Sequence, residues 1–383
     1  MNWRRMQCAS CPLPATGMCR RPSSFEYVYC CSAECGTLAL IGDKRGHDDD
    51  ERRTKRQAQY TSVAEPRDYL QALVRNINPP ENVLSNIGDV LSYYPAALMT
   101  ARHPDVIWLM PTRTPALFEQ VSDDGWLHRR TSPAISADAT IVIQLDNDLR
   151  PTVRGDGVIP AWRRAVEQAT RRRFVVVSVL FSYAEDSPDD HAAAILWDRV
   201  DGNAIFVEPH ASPMQNAAPQ LNMRESFAAL ALFVTGNLPG VSALVHPVGL
   251  IGLLGGPQSW FHELRPASGR RLSVDGGWCV TATLMWIEAL VRNAPSRRPL
   301  RDSVFAITAA LQAECSTWVR FGPGNDSWLI NYHHYLLEQI YADVGMPYYS
   351  SIFANADVVA PPETIRQIEQ RVASRFAAAR TAL

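Results

Sequence analysis

The segment from Phe174 to Phe181 reads FVVVSVLF. A short run this rich in β-branched residues marks a strand buried inside a sheet. Thr140 to Leu145 (TIVIQL) reads the same way. Ala192 to Trp197 and Ala204 to Val207 form two more predicted strands, joined through the turn-prone Asp201-Gly202-Asn203. After them the apolar period changes. Its spacing predicts helices over Met223–Val234, Val280–Arg292, Leu300–Phe321, Ser327–Val344 and Glu363–Ala379. Pro295 and Pro299 separate the second of these from the third. Central strands with helices around and after them imply an α+β body.

Three zones follow along the chain. Residues 1–41 carry a cysteine cluster. Residues 42–62 are charged and almost without aliphatic side chains, which predicts a flexible linker. Residues 63–383 form the globular body, with no internal repeat. A hydrophobic fraction of 46% can build a sizeable core there. The formal net charge of −2 argues against a nucleic-acid partner, which would need a basic face. The clusters Arg171-Arg172-Arg173 and Arg52–Arg56 read as solvated surface. The longest apolar stretches, around Val241–Leu254 and Val280–Val291, fall short of the roughly 20 residues that span a bilayer. No membrane partner is expected. The N-terminal MNWRRMQCASC has no apolar core of the signal-peptide kind, so a soluble, intracellular protein is expected.

That compartment decides how the cysteines read. Six of the eight lie between Cys8 and Cys35. In a secreted chain they would suggest disulfides; without a secretion signal, clustered thiols are more often metal ligands. A tetrahedral zinc takes two pairs of thiolates, each held on a tight turn. Cys8 with Cys11 supplies one pair and Cys31 with Cys35 the other, with Cys30 or Cys19 as substitutes. One zinc is expected, structural or partner-binding, because four protein ligands leave no open catalytic position. Tyr29 to Cys35 resembles the second half of MYND-like and related treble-clef zinc knuckles.

The chemistry-bearing residues lie in the body. A thiol nucleophile needs a base, a group to orient that base, and a position that favours thiolate. Cys279 follows Gly276-Gly277-Trp278 and opens an apolar helix. There the free backbone N–H groups favour negative charge and can hold an oxyanion. A core cysteine on a buried helix would look the same from this segment alone. His191 starts a predicted strand, directly after the acidic Asp186–Asp190. Glu208 ends the next strand among Ile205, Phe206, Val207 and Pro209, where a lone carboxylate would be costly unless paired.

Hairpin register decides whether those two meet. A loop over Asp198–Asp201 sets His191 directly opposite Glu208. A two-residue turn at Asp201-Gly202 pairs Glu208 with Ile195 and displaces the groups by roughly 13 Å. Either way both side chains point to one face, because the offset is even.

A strand-borne histidine, an acid at the end of the next strand and a cysteine at a helix start resemble the ubiquitin-like-protein proteases. That group includes the SUMO proteases, the adenovirus proteinase and the core proteinases of large DNA viruses. The strings HAAAILWDR, FVEPHA and GGWCVTATLMWIEALVRNAP look most like predicted cysteine peptidases of giant DNA viruses. The likeness covers about residues 171–295. It implies a papain-like cysteine-peptidase body, with a central, mostly antiparallel sheet and flanking helices. It also implies a protein substrate, His191 as general base, Glu208 as its orienting acid and Cys279 as nucleophile. An intracellular setting in a host cell or a virion goes with it. These enzymes place a glutamine shortly before the cysteine, to help hold the oxyanion. Here Ser273, Val274 and Asp275 fill that approach, and Gln258 is the nearest glutamine, farther back. Trp278 or Asp275 are the alternative contributors.

Two other functions use the same residues. Bacterial effector acetyltransferases share the His-Glu-Cys order, with acetyl-CoA turnover as their sign. A zinc-knuckle interaction or virion protein with an inactive peptidase fold is the non-enzymatic reading. Cys315 lies within a predicted helix and is a poor nucleophile. His210 follows the acid instead of facing it.

Overall fold

The computed structural model describes residues 17–20, 27–30, 73, 93–114, 118–120, 127–129, 136–168, 171–183, 191–209, 222–246, 257, 278–321, 328–346, 357–358 and 362–381. Twelve strands occur among them: β1 (Gly17–Arg20), β2 (Tyr27–Cys30), β3 (Val106–Trp108), β4 (Phe118–Gln120), β5 (Leu127–Arg129), β6 (Thr140–Leu145), β7 (Pro151–Arg154), β8 (Phe174–Tyr183), β9 (His191–Asp198), β10 (Asn203–Val207), β11 (Ala243–Val245) and β12 (Asp357–Val358). Seven α-helices accompany them: α1 (Tyr93–Arg102), α2 (Val158–Gln168), α3 (Met223–Asn237), α4 (Trp278–Asn293), α5 (Val304–Phe321), α6 (Trp328–Val344) and α7 (Pro362–Thr381). The class is α+β, as the sequence pattern predicts.

The main sheet has seven strands in the order β11-β10-β9-β8-β6-β7, with β3 also on β8. It is evenly mixed, which corrects the expectation of a mostly antiparallel sheet. β9 runs antiparallel to β8 and β10, and β7 to β6, while β10–β11, β6–β8 and β3–β8 are parallel pairs. The parallel pairs arise where a long crossover returns the chain to the sheet, as between β6 and β8 through β7 and α2. Two smaller sheets, β1-β2 and β12-β5-β4, stand apart from it.

Burial alternates along β8. Phe174 and Val176 join one core, and Val175, Val177, Val179 and Phe181 join the other. The FVVVSVLF run is apolar on both sides because both faces of the sheet are covered. α2 and α3 cover one face through Val158, Ala161, Trp162, Ala165, Leu230 and Val234. The other face meets α1, α4, α5, α6 and α7. α4 is the centre of that second layer: every residue from 279 to 290 is buried. A helix apolar all round is stable only when enclosed in this way. No helix among the described residues is long and apolar enough to cross a membrane.

The β9–β10 hairpin is closed by residues 199–202. Gly202 takes φ +74° at its end, where an added Cβ would lie 3.0 Å from the Gly240 carbonyl oxygen. That left-handed position comes cheaply only to glycine. Asp198 anchors the hairpin from within. Its buried carboxylate accepts from Arg173 Nη2 at 2.8 Å and from the Leu300 amide at 2.7 Å, tying β8 and β9 to the start of the α5 region.

Candidate active site

The observed register is neither of the two expected from sequence. Val207 pairs with Ala194, so the ladder carried one step further sets Glu208 beside Ala193, two residues from His191. The loop has the four residues of the first alternative but starts one residue later, at Arg199, and that shift moves the pairing by two. An offset of two keeps both side chains on one face. The separation along the strand is only about 7 Å, which a glutamate and an imidazole bridge diagonally. His191 Nε2 and Glu208 Oε1 lie 2.5 Å apart.

Cys279 reaches the same place from the opposite face. It lies in the first turn of α4 and joins the core that includes Ala194, Leu196 and Val207 of the sheet. Its sulfur comes up at the end of the sheet where β9 begins. The Ala192 backbone N–H donates to Cys279 Sγ at 3.4 Å. One turn further along α4, Thr283 Oγ1 donates to the Ala192 carbonyl at 3.3 Å. Residues 279 and 283 share a helix face, so both backbone groups of one strand residue clamp the start of α4. Neither Thr283 nor the Ala192 backbone was singled out by sequence reasoning. A polar residue four places after the cysteine on an apolar helix was the available signal.

The His191 ring hydrogen-bonds both Glu208 and the Cys279 thiol. All three groups are nearly closed off: His191 is 6% exposed, Cys279 7% and Glu208 0%. Burial alone would push the His191 ring toward neutrality. The hydrogen bonds to Cys279 and Glu208, with the charge of Glu208, outweigh it and push its pKa up to about 10. The ring is therefore held protonated at neutral pH beside a carboxylate and a thiol, a charge arrangement suited to nucleophilic sulfur chemistry.

The remaining sequence-selected residues divide in two. Cys315 is buried in α5, and burial pushes its thiol well up, away from nucleophilic use. Gln258, His210, Asp275, Cys8, Cys11, Cys31 and Cys35 lie outside the described residues. Of the substitute ligands, Cys19 lies on β1 and Cys30 on β2, strands paired antiparallel with Cys19 across from Val28 and Cys30 across from Gly17. No group of three or more potential metal ligands occurs among the described residues.

Another buried carboxylate, beside those of Asp198 and Glu208, went unnoticed in the sequence. Glu288 of α4 is fully buried and accepts from Tyr332 Oη at 2.5 Å and from Arg102 Nη2 at 3.3 Å. His103 Nε2 lies 2.9 Å from its Oε1. Burial pushes this carboxyl up, but the bonds to His103 and Tyr332 and the Arg102 charge outweigh it and lower its pKa to about 2.

No protein-family model, curated protein or solved structure matches the chain.

Proposed function

We propose that the chain is a cysteine peptidase with a papain-like body, acting through Cys279, His191 and Glu208. The observation that carries the reading is one buried imidazole shared between the Glu208 carboxylate and the Cys279 thiol. The start of an enclosed helix, meeting a sheet at its end, supports it further. There the sulfur has a backbone donor from Ala192.

The chemistry follows from those contacts. In the reactive form the Cys279 proton already sits on the His191 ring, and the sulfur attacks a peptide carbonyl carbon as the thiolate of that pair. A C–S bond forms as the C=O electrons move onto oxygen. First-turn N–H groups of α4 offer donors for that oxyanion. The carbonyl re-forms, the C–N bond breaks, and His191 gives its proton to the leaving amine. Water then attacks the thioester while the now neutral His191 accepts its proton; the C–S bond breaks, the acid product leaves, and the sulfur is restored beside the protonated ring. Glu208 keeps the ring oriented and stabilises its charged form throughout. The substrate is read as a protein, a polyprotein junction or the linkage of a ubiquitin-like modifier.

The test is a thiol-reactive probe with a peptide or ubiquitin-like tail, followed by mapping of the labelled residue. Labelling at Cys279 that needs His191 is expected. Labelling spread over several cysteines at the rate of the unfolded chain would instead favour an interaction protein. The N-terminal zinc remains part of the proposal. Purified protein is expected to hold one zinc, lost in Cys8→Ser, and a metal-free parent overturns that part alone.

A further inference from the structure

Threonine hydroxyls on the helices go to different acceptors. Thr100 of α1 and Thr235 of α3 donate to the carbonyl four residues back, at 3.1 and 2.7 Å. That is the ordinary outlet for a hydroxyl the helix satisfies by itself. Thr283 of α4 departs from it. The residue is 4% exposed, and its Oγ1 donates across to the Ala192 carbonyl of β9 at 3.3 Å. The last ladder pair between β9 and β10 is Ala194 with Val207, two residues short of Ala192. Past that point α4 meets both backbone groups of Ala192. The carbonyl accepts from Thr283, and the N–H donates to Cys279 Sγ at 3.4 Å. That N–H belongs to the peptide bond leaving His191, whose ring hydrogen-bonds the same sulfur. The sulfur is thus addressed twice from one point of β9, by a side chain and by the amide that follows it.

We propose that Thr283 is a positioning residue for the nucleophile: its hydroxyl holds Ala192 so that the Ala192 N–H stays aimed at the Cys279 sulfur and steadies it as thiolate. The inference rests on the reading of Cys279, His191 and Glu208 as a triad.

The physical case is one of direction. A thiolate set in the core has lost its water, and each fixed N–H aimed at it replaces part of that solvation. A hydrogen bond of this length keeps its strength only while the donor points at the sulfur. A strand residue at the end of its ladder can turn about its backbone dihedrals, and a hydroxyl on its carbonyl restrains that turning. Hydroxyl and sulfur come from residues four apart on one helix, so a single rigid spacing sets both bonds. Thr281 provides the contrast. It is buried in the same stretch of α4, but its Oγ1 pairs with His333 Nδ1 of α6 at 3.1 Å. Among the described residues, the ionisable groups packed about this part of α4 are His191 and Glu208 on the sheet side and His333 on the α6 side. Glu288 lies farther along α4, with Arg102 and His103 of α1. Replacing either threonine by an apolar residue changes no charge among them.

Packing and positioning make opposite forecasts for two substitutions. Thr283→Val keeps the branched shape and removes the donor. Thr283→Ser keeps the donor and loses a methyl. Thr281→Val removes a buried hydroxyl that bonds α6 instead. Full-length chain would be alkylated with iodoacetamide across pH 4–10, and modification of Cys279 followed by mass spectrometry. If Thr283 positions the amide, Thr283→Val moves the acid limb of the Cys279 rate profile to higher pH by about half a unit or more. On that limb the rate falls about threefold or more, while the alkaline plateau stays within about twofold, because every sulfur is ionised there. Thr283→Ser and Thr281→Val keep the acid limb of the parent. Should Thr283→Val not fold, Thr283→Ala carries the same comparison with Ser. A Val or Ala variant whose profile superimposes on that of the parent overturns the proposal. So does a displacement as large in Thr283→Ser, which would mean packing, or in Thr281→Val, which would mean general loosening of α4. A parent whose Cys279 follows the profile of the urea-unfolded chain overturns the triad itself, and the proposal with it.

Discussion

Two buried carboxylates, Glu208 and Glu288, each hold a histidine, and yet only one stands in a candidate site. Both are 0% exposed. Glu208 Oε1 lies 2.5 Å from His191, and Glu288 Oε1 lies 2.9 Å from His103. The difference lies in what else each pair meets. Glu288 is surrounded by donors, with Arg102 and Tyr332 besides the histidine, so its charge is spent on joining α1, α4 and α6. Beside Glu208, the histidine is bonded in turn to a thiol. A buried His–carboxylate pair is therefore not a site in itself. It becomes one when the ring has a second partner able to react.

The sharpest test of that contrast is substitution of each reacting or supporting group in turn. Cys279→Ala is expected to abolish probe labelling and turnover, a loss of at least about 10^4-fold. Glu288→Gln is expected to leave Cys279 labelling within about threefold of the parent. Labelling lost equally in both would mean that the second pair belongs to the same machinery. The stability ranking should be the reverse. Glu288→Ala leaves Arg102 beside a cavity without its counter-ion, and urea unfolding should show a cost of about 3–5 kcal/mol. Cys279→Ala removes one sulfur atom near the surface of the core and should cost about 1 kcal/mol.

Glu208→Gln is a smaller perturbation of reactivity. It keeps a hydrogen-bonding shape beside His191 but removes the charge that stabilises the imidazolium. Alkylation of Cys279 at pH 7 should slow by about a hundredfold, less than the loss from Cys279→Ala. No slowing would remove Glu208 from the triad.

The last test separates the pairs by pH. The folded pKa of Glu288 is lowered to about 2. Its contribution is complete above the ordinary carboxylate value and is lost as pH falls toward 2. His246 and His334, both lowered to about 4 by burial, add to the acid loss from about pH 6.5 downward, since the unfolded chain binds their protons first. His191 works the other way. Its folded pKa is raised, so its contribution is complete below 6.5 and is lost as pH rises toward about 10. Thermal melts across pH 3–10 should show Glu288→Gln flattening the acid limb and Glu208→Gln flattening the alkaline limb. Both variants acting on one limb would contradict the assignment of charges.

Much of the local structure was legible in the chain itself. β6 spans the predicted Thr140–Leu145, and the helices after Met223 begin and end within a few residues of their apolar patterns. Periodicity and β-branching act over neighbours, so they need no partner to be read. α1 and α2 escaped this reading. α1 is buried over 93–100 without a polar face, and a helix enclosed on all sides carries no amphipathic stripe to detect. β7 begins at Pro151, a strand position tolerated at a sheet edge but not suggested by propensity.

The chemistry divides along the same line. Residue type and order single out His191, Glu208 and Cys279, because a thiol, an imidazole and a carboxylate set in apolar surroundings are costly unless used or paired. The diagonal contact of His191 with Glu208 depended on a four-residue loop that closes at a left-handed glycine. The approach of Cys279 depended on α4 docking from the opposite face, with Ala192 clamped between residues 279 and 283. Glu288 met Arg102 and His103 only because packing brought together helices 185 or more residues apart in sequence. A turn sets register by its backbone geometry, and packing brings distant helices together by shape. Neither is written in the spacing of the residues that finally touch.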